Sequence, residues 1–464
     1  MGSCGVGVLD LLTIVLDGAA RESILFAATW LLIGGIDDLG VDLCFLGNRL
    51  TRRTPRALVE DLPASAVPES FAVFVAAWRE EAVIGAMLAA AVARLDHPDY
   101  RIYVGVYPND PATIAAVGNA AARDARIRLV IGTRDGPTTK ANCLNTIWAR
   151  LQQEDAATGH RTTAIVIHDA EDVVHPAELR VFDALLRTYG VVQLPVLPLI
   201  RPGSLVSGHY ADEFAYAHGV QQPVRAMLGA PLPLAGTGCA IRTATLAAIA
   251  AERGGAPFDP SSLTEDYELG LHVAARGGGV CFARLRDARD GSLVAVRAYF
   301  PETLVAAIRQ KARWMTGIAL AGWDRIGWGE PAAFADHWMR MRDRRALIAV
   351  LVVAVAYAAI GLWLVTATLH WLRGLPDAGP HLAGWLWSTT TLLLGWRLSA
   401  RIVCTGRAYG WREACLSLPR FVVGNVIALL ATPLALRRYA QFLRGDAPVW
   451  DKTVHAFPDA AALG

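Results

Sequence analysis

The chain has 464 residues, enough for two or three structural units, and 54% of them are hydrophobic, with a mean hydropathy of +0.34. That exceeds an ordinary soluble domain and predicts membrane segments. A formal net charge of +2 gives no basis for a nucleic-acid partner, and seven scattered cysteines without a C-x-x-C pair argue for a reducing compartment and against a disulfide framework or zinc site.

The N-terminus lacks the basic start and small-residue cleavage site of a cleaved signal peptide, so an N-terminal span is expected to be retained. Residues 23–36 are apolar but short and run into Asp37, Asp38 and Asp42. A crossing helix there is tilted or keeps those acids near one interface. Arg49, Arg52, Arg53 and Arg56 put its far end on the cytoplasmic side by the positive-inside rule. Residues 1–56 are therefore expected to be an N-terminal membrane region.

Residues 57–340 read as a cytosolic domain. "FAVFVAAW", "RIYVGVY", "RIRLVIG" and "TAIVIHDAED" are apolar strands, separated by the helical stretches "EEAVIGAMLAAAVARL", "PATIAAVGNAAARD" and one from Lys140. The alternation predicts an α/β fold with a mostly parallel sheet and helices on both faces, where ligands bind beyond the carboxyl ends of the strands.

A membrane region is expected over 341–440 and a cytosolic tail over 441–464. Residues 346–369 are uncharged and exceed the roughly 20 residues needed to cross a bilayer core. Residues 378–396 form a second candidate with interfacial tryptophans Trp385, Trp387 and Trp396. A third, 421–436, contains Asn425 and Pro433 and either crosses or is re-entrant. Both arginine groups beside it, Arg397 to Arg412 and Arg437 to Arg444, are cytosolic only if it does not cross.

Five stretches could carry chemistry. "HDAEDVVHP" places Asp169, Glu171 and Asp172 just beyond a strand, suited to a hard cation that shares its shell with phosphates, or to a polar turn. "SSLTEDYELGL" gives Ser262 and Glu265 the spacing of a capping box and puts Asp266 in a first helical turn, as a base or as a dipole partner. "RQKARWMTGI" sets Gln310, Arg313 and Trp314 on one helix face, where a guanidinium suits phosphate and an indole suits a sugar ring; a basic helix at a membrane surface reads the same way. "GPTTKANCLN" offers Lys140 to a phosphate, and "LAGTGCAIR" offers a loop, Gly236, Thr237 and Gly238, that a substrate can approach closely.

The order of these pieces, followed by membrane helices, resembles membrane-integrated family-2 glycosyltransferases of the polysaccharide synthase type. "SGHYADEFAYAHG", "HDAEDVVHP", "LTEDYELGL", "RQKARWMTGIALAGW" and "VWDKTVHAFP" resemble more narrowly the phage adsorption protein B branch. The resemblance implies a GT-A domain on the cytosolic side of a bacterial inner membrane in a multi-pass protein. It implies a nucleotide-sugar donor, UDP-linked and carrying an N-acetylhexosamine, a glycan acceptor, membrane lipid around the helices, and Mg²⁺ or Mn²⁺. An outer-membrane export or receptor partner belongs to the same expectation.

By that resemblance Asp169 and Glu171, with Asp172 as substitute, bind metal and diphosphate, and Asp266 with Glu265 beside it supplies the catalytic base. Gln310 and Arg313 hold the diphosphate with Lys140; Trp314 and Gly236 to Gly238 meet the acceptor; Glu80 and Asp110 contact the nucleotide base. Relatives carry Asn where this chain has Arg79. Transfer of one sugar to a lipid carrier, and a non-enzymatic membrane scaffold or receptor, are the competing readings.

Overall fold

A computed structural model describes residues 8–51, 57–63, 67–376, 384–446 and 455–458. Residues 378–383 of the second expected span, Arg52, Arg53, Arg56 and most of "VWDKTVHAFP" lie outside the described residues.

The N-terminal helix α1 (Val8–Thr51) is followed by the first half of the catalytic-type domain: β1 (Phe71–Ala76), α2 (Ile84–Arg94), β2 (Tyr100–Val106), α3 (Pro111–Ala121), β3 (Ile127–Ile131), α4 (Lys140–Thr158) and β4 (Ala164–His168). The second half holds α5 (Glu178–Leu185), β5 (Val191–Gln193), β6 (Val196–Leu199), α6 (Leu205–Tyr216), α7 (Gln222–Met227), β7 (Cys239–Arg242), α8 (Thr243–Glu252), α9 (Glu265–Ala275), β8 (Val280–Phe282), β9 (Val296–Tyr299) and α10 (Leu304–Trp314). Then come α11 (Gly322–Ile326), α12 (Phe334–Arg344), α13 (Ala346–Arg373), α14 (Gly384–Tyr409) and α15 (Trp411–Leu443).

Seven strands form one sheet in the order β3-β2-β1-β4-β7-β5-β8, and β6 pairs with β9 in a second. The first four strands are mutually parallel, as the alternating pattern predicts; β7 runs antiparallel to both β4 and β5. Every residue of β1 is buried, because successive side chains leave a strand on opposite faces and both faces are covered. Val73 and Val75 pack with Ile84 and Leu88 on one face, and Phe74 packs with Tyr103, Leu144 and Ile147 on the other. The carboxyl ends of β1 and β4 therefore open together at one edge.

Among the described residues three helices are long and apolar enough to cross a membrane: α1, α13 and α15. The short first span expected at 23–36 is instead the middle of a 44-residue helix. Its acids do not end it, because they are paired. Asp37 and Asp38 meet Arg342 and Arg345, and Asp42 accepts from Trp396 at 2.8 Å and Tyr216 at 2.9 Å. Residues 384–396 of the second expected span are part of α14, which is not among those three helices.

The third expected span lies inside α15, which passes through Pro419 and Pro433 unbroken. Both ends of α15 rest on the α/β domain. Ser417 donates to Asp212 of α6 at 3.1 Å, while Arg438 donates to the Arg309 carbonyl of α10 at 3.2 Å.

Candidate active site

At the open edge of the sheet lies a cleft of about 410 Å³, lined by Glu80, Lys140, Asp169, Glu171, Asp172, Gly236, Thr237, Glu265, Asp266, Gln310, Arg313 and Trp314. Asp169 and Glu171 follow β4 directly, and Lys140 opens α4 behind Thr139, whose side chain caps that helix at the Asn142 amide. The Lys140 ammonium is 2.5 Å from Asp169 Oδ1 and donates to the Gly236 carbonyl at 2.9 Å. Burial alone would lower its pKa, but the carboxylates of Asp169, Glu265 and Asp266 outweigh burial and hold it above its ordinary value.

Gly236 has φ +76° and faces Asp266: a Cβ there would lie 2.6 Å from Asp266 Oδ2. The loop is fixed from below by Gln193 at the end of β5. Its amide nitrogen donates to the Thr237 carbonyl at 2.9 Å, and its amide oxygen accepts from the Ala235 N–H at 2.9 Å. Gln193 went unassigned in the sequence; a buried glutamine ending an apolar strand is the signal that marks it.

Asp266 begins the second residue of α9, and burial raises its pKa. Burial and the neighbouring Asp266 charge push Glu265 up to about 7. The expected capping box does not form. α9 starts at Glu265 with Thr264 as its cap residue, so Glu265 is too early to reach back. Ser262 instead donates to Glu268 at 2.7 Å, and Arg325 of α11 donates to both Glu268 oxygens at 2.8 and 3.0 Å. That brace, two residues beyond Asp266, anchors the helix start.

The helix α10 continues as a π-helical turn, Met315–Ala321, a form that concentrates at functional sites. Gly317 in this turn lies against Thr264, where a Cβ would meet Thr264 Cγ2 at 2.4 Å. The contact joins the Q-x-x-R-W helix to the start of α9. Trp314 meets Tyr210 edge-on at 6.0 Å and Phe300 at 6.3 Å, so its indole stands in an aromatic wall.

Two expected residues are placed otherwise. Asp172 is buried, and its Oδ2 accepts from the Asp169 amide at 2.8 Å and from Thr237, with His168 Nδ1 at 3.0 Å. That oxygen is held by structural contacts, while Asp172 still lines the cleft. Asp110 does not line the cleft; it caps α3 at the Thr113 amide and accepts from the Arg79 N–H at 2.6 Å. Glu80 does line it.

Two histidines inside quoted motifs had no assigned role. His168 is fully buried between Asp172 and Glu178, at 3.0 and 2.9 Å; burial would lower its pKa, but those two acids lift it to about 10. His455 returns from the tail to lie 2.9 Å from Glu80 and 3.3 Å from Glu171. Phe457 beside it packs against the core under β1.

The sequence model of the family described as glycosyltransferase like family 2 matches residues 68–317. The chain belongs to the family-2 glycosyltransferases. It is similar to bacteriophage adsorption protein B of Escherichia coli K12 and to bacteriophage N4 adsorption protein B of Escherichia coli O157:H7. Each is 33% identical over 461 residues, covering 93% of this chain and 61% of the relative, so the chain spans less than two thirds of their length. Among solved structures it resembles the mannosyltransferase PcManGT from Pyrobaculum calidifontis, in complex with GDP-Man and Mn²⁺. The TM-score is 0.52 at 17% identity, covering 89% of this chain and 99% of that one, a likeness of GT-A fold.

Among the described residues no group of three or more His, Cys, Asp or Glu side chains is arranged to hold a metal ion by itself. A hard cation that borrows ligands from a diphosphate and from water does not need such a group. The donor chemistry suits it. Asp169 is partly exposed, and burial with the surrounding acids pushes Glu171 up to about 8, a crowding of negative charge that a divalent cation would relieve.

Proposed function

We propose that this transferase moves a sugar, an N-acetylhexosamine, from a UDP-linked nucleoside-diphosphate sugar to a growing polysaccharide at the cytosolic face of a bacterial inner membrane. The observation that carries the reading is the convergence of Asp266, the Lys140–Asp169 pair and the Gln310-Arg313-Trp314 face on one cleft beside membrane-type helices.

In this reading the acceptor hydroxyl gives its proton to Asp266 as its oxygen bonds to the anomeric carbon, and the bond from that carbon to the diphosphate breaks. One displacement inverts the configuration. A raised pKa suits a base that works near neutrality, and such proton transfer is typically worth about 10²- to 10⁴-fold in rate. Lys140 and Arg313 place positive charge where the departing diphosphate gains negative charge, and Trp314 offers a sugar-stacking face to the acceptor. Mg²⁺ or Mn²⁺, held by Asp169 and Glu171, would supply further positive charge to the diphosphate.

The test is a panel of nucleotide sugars with purified protein and Mg²⁺ or Mn²⁺, reading free nucleoside diphosphate and product size. Turnover with polymer growth is expected. A single lipid-linked sugar as sole product would replace polymer synthesis with transfer to a lipid carrier, and absence of turnover with every donor would favour a scaffold.

A further inference from the structure

Arg79 is the one non-glycine residue among those described with a positive φ, +55°. This left-handed region is unfavourable for an arginine and persists only where surroundings enforce it, often at ligand sites. Two contacts enforce it here. The Arg79 amide donates to Asp110 Oδ2 at 2.6 Å, and the next amide, of Glu80, donates to Thr113 Oγ1 at 2.9 Å. Both acceptors belong to the start of α3, so the turn after β1 is pinned to the turn after β2.

The side chain is set as firmly as the backbone. The Arg79 guanidinium lies over the Trp78 ring, 5.0 Å from its centroid. Trp78 is itself buried, edge-on to Tyr107 at 5.2 Å and closed in by Gly136, where a Cβ would lie 2.7 Å from the indole. Trp78 lies on one side of the guanidinium, and Arg79 is exposed to solvent. Among the described residues no ion pair draws the cation aside.

This plane stands at the carboxyl ends of the parallel pair β1 and β2, next to Glu80, which lines the cleft. Ligands of such sheets bind beyond those ends. A guanidinium stacks on flat π-systems, and a platform already held on Trp78 loses little freedom when it does so. We infer that Arg79 stacks on the nucleobase of the donor, with Asp110 as the residue that positions it; this rests on the nucleotide-sugar reading above. Asp110, expected at the base, acts through the Arg79 backbone.

The experiment measures binding of uridine diphosphate, guanosine diphosphate and inorganic pyrophosphate, each with Mn²⁺, to the full chain and to Arg79→Asn, Arg79→Gly and Arg79→Lys. Asparagine and glycine accept the left-handed backbone, so the variants fold, with melting temperature unchanged or higher. Nucleoside-diphosphate affinity falls about tenfold in all three, lysine included because it has no plane, while pyrophosphate affinity holds. Unchanged nucleoside-diphosphate binding in Arg79→Asn overturns the inference, as does an equal loss for pyrophosphate. Wild-type protein that binds neither nucleoside diphosphate removes the nucleotide-sugar reading itself, a separate outcome.

Discussion

Asp266 and Glu265 sit side by side in one cleft with the Lys140 ammonium; burial raises both carboxyls, helped by the Asp266 charge at Glu265 and by the Asp169 charge at Asp266. Asp266→Asn should lower kcat by at least about 10²-fold with the melting temperature preserved, measured as nucleoside-diphosphate release. Asp266 must be ionised to act as a base, and burial raises its carboxyl, so transfer should fall on the acid side at a pH above the ordinary aspartate range. Stability runs the other way. The folded state holds a Glu265 proton between 4.5, its ordinary value, and about 7, so stability declines as pH rises across that window. Glu265→Gln removes that titrating carboxyl and should flatten the decline, measured as melting temperature against pH. Gly236→Ala adds a Cβ against Asp266 at a positive φ, and should impair kcat more than donor KM. The acids, Lys140 and Gly236 were legible in the sequence as separate weak signals. Their shared cleft was not, because Lys140 and Asp266 are far apart in the chain and only the fold places both beside Gly236.

At the scale of elements, α6, from the stretch "SGHYADEFAYAHG", ties the α/β domain to α14 and α15. Gly208 lets the Arg420 side chain lie against α6, where a Cβ would be within 2.2 Å of its Nε. Asp212, almost fully buried, accepts from Thr405 at 3.0 Å and Ser417 at 3.1 Å and faces Arg420 at 3.6 Å. Glu213, next along, pairs with Lys311 of α10 at 2.5 Å, beside Gln310. Asp212→Ala leaves the buried Thr405 and Ser417 hydroxyls without that acceptor, while Arg420 keeps Glu413, and should cost about 1–3 kcal/mol, seen as a lower melting temperature in detergent; Asp212→Asn, which can still accept from both hydroxyls, should cost less. The strands and helices of the first half were readable because their burial follows simple periods, as in β1. The start of α9 was misread because S-x-x-E spacing fits a capping box wherever it occurs, whereas the tertiary partner Arg325 draws Glu268 to Ser262.

For the whole molecule, the ends of α15 decide how the chain is threaded. Its first turns meet α6, its last turns meet α10, and Tyr439 pairs with Asp324 of α11. Both ends thus lie on the side of the catalytic cleft, and His455 returns to that cleft after α15. We propose that α1 and α13 cross, that α14, though not among the three long apolar helices, returns alongside α1, where Thr390 donates to the Ala28 carbonyl at 3.4 Å, and that α15, long enough to cross, lies instead along the cytosolic face. All the arginines beside α15 are then cytosolic. Cys415, an exposed thiol in the second turn of α15, should resist a membrane-impermeant maleimide in spheroplasts and react after lysis. A cysteine placed at Gly374, just past α13, should be labelled in both. Labelling of Cys415 from outside would overturn this threading.

Local pattern sufficed for the α/β alternation, the uncharged span at the heart of α13 and the order of the chemical motifs, since each depends on side chains close together in sequence. Only the tertiary structure decided that the α1 acids stay within a helix, because Arg342 and Arg345 neutralise them from some 300 residues away. It likewise gave Asp172 and Asp110 hydrogen-bond partners in the turns beside the cleft and brought His455 to Glu171. Charge pairing and close packing act through space, and a sequence displays only their separate halves.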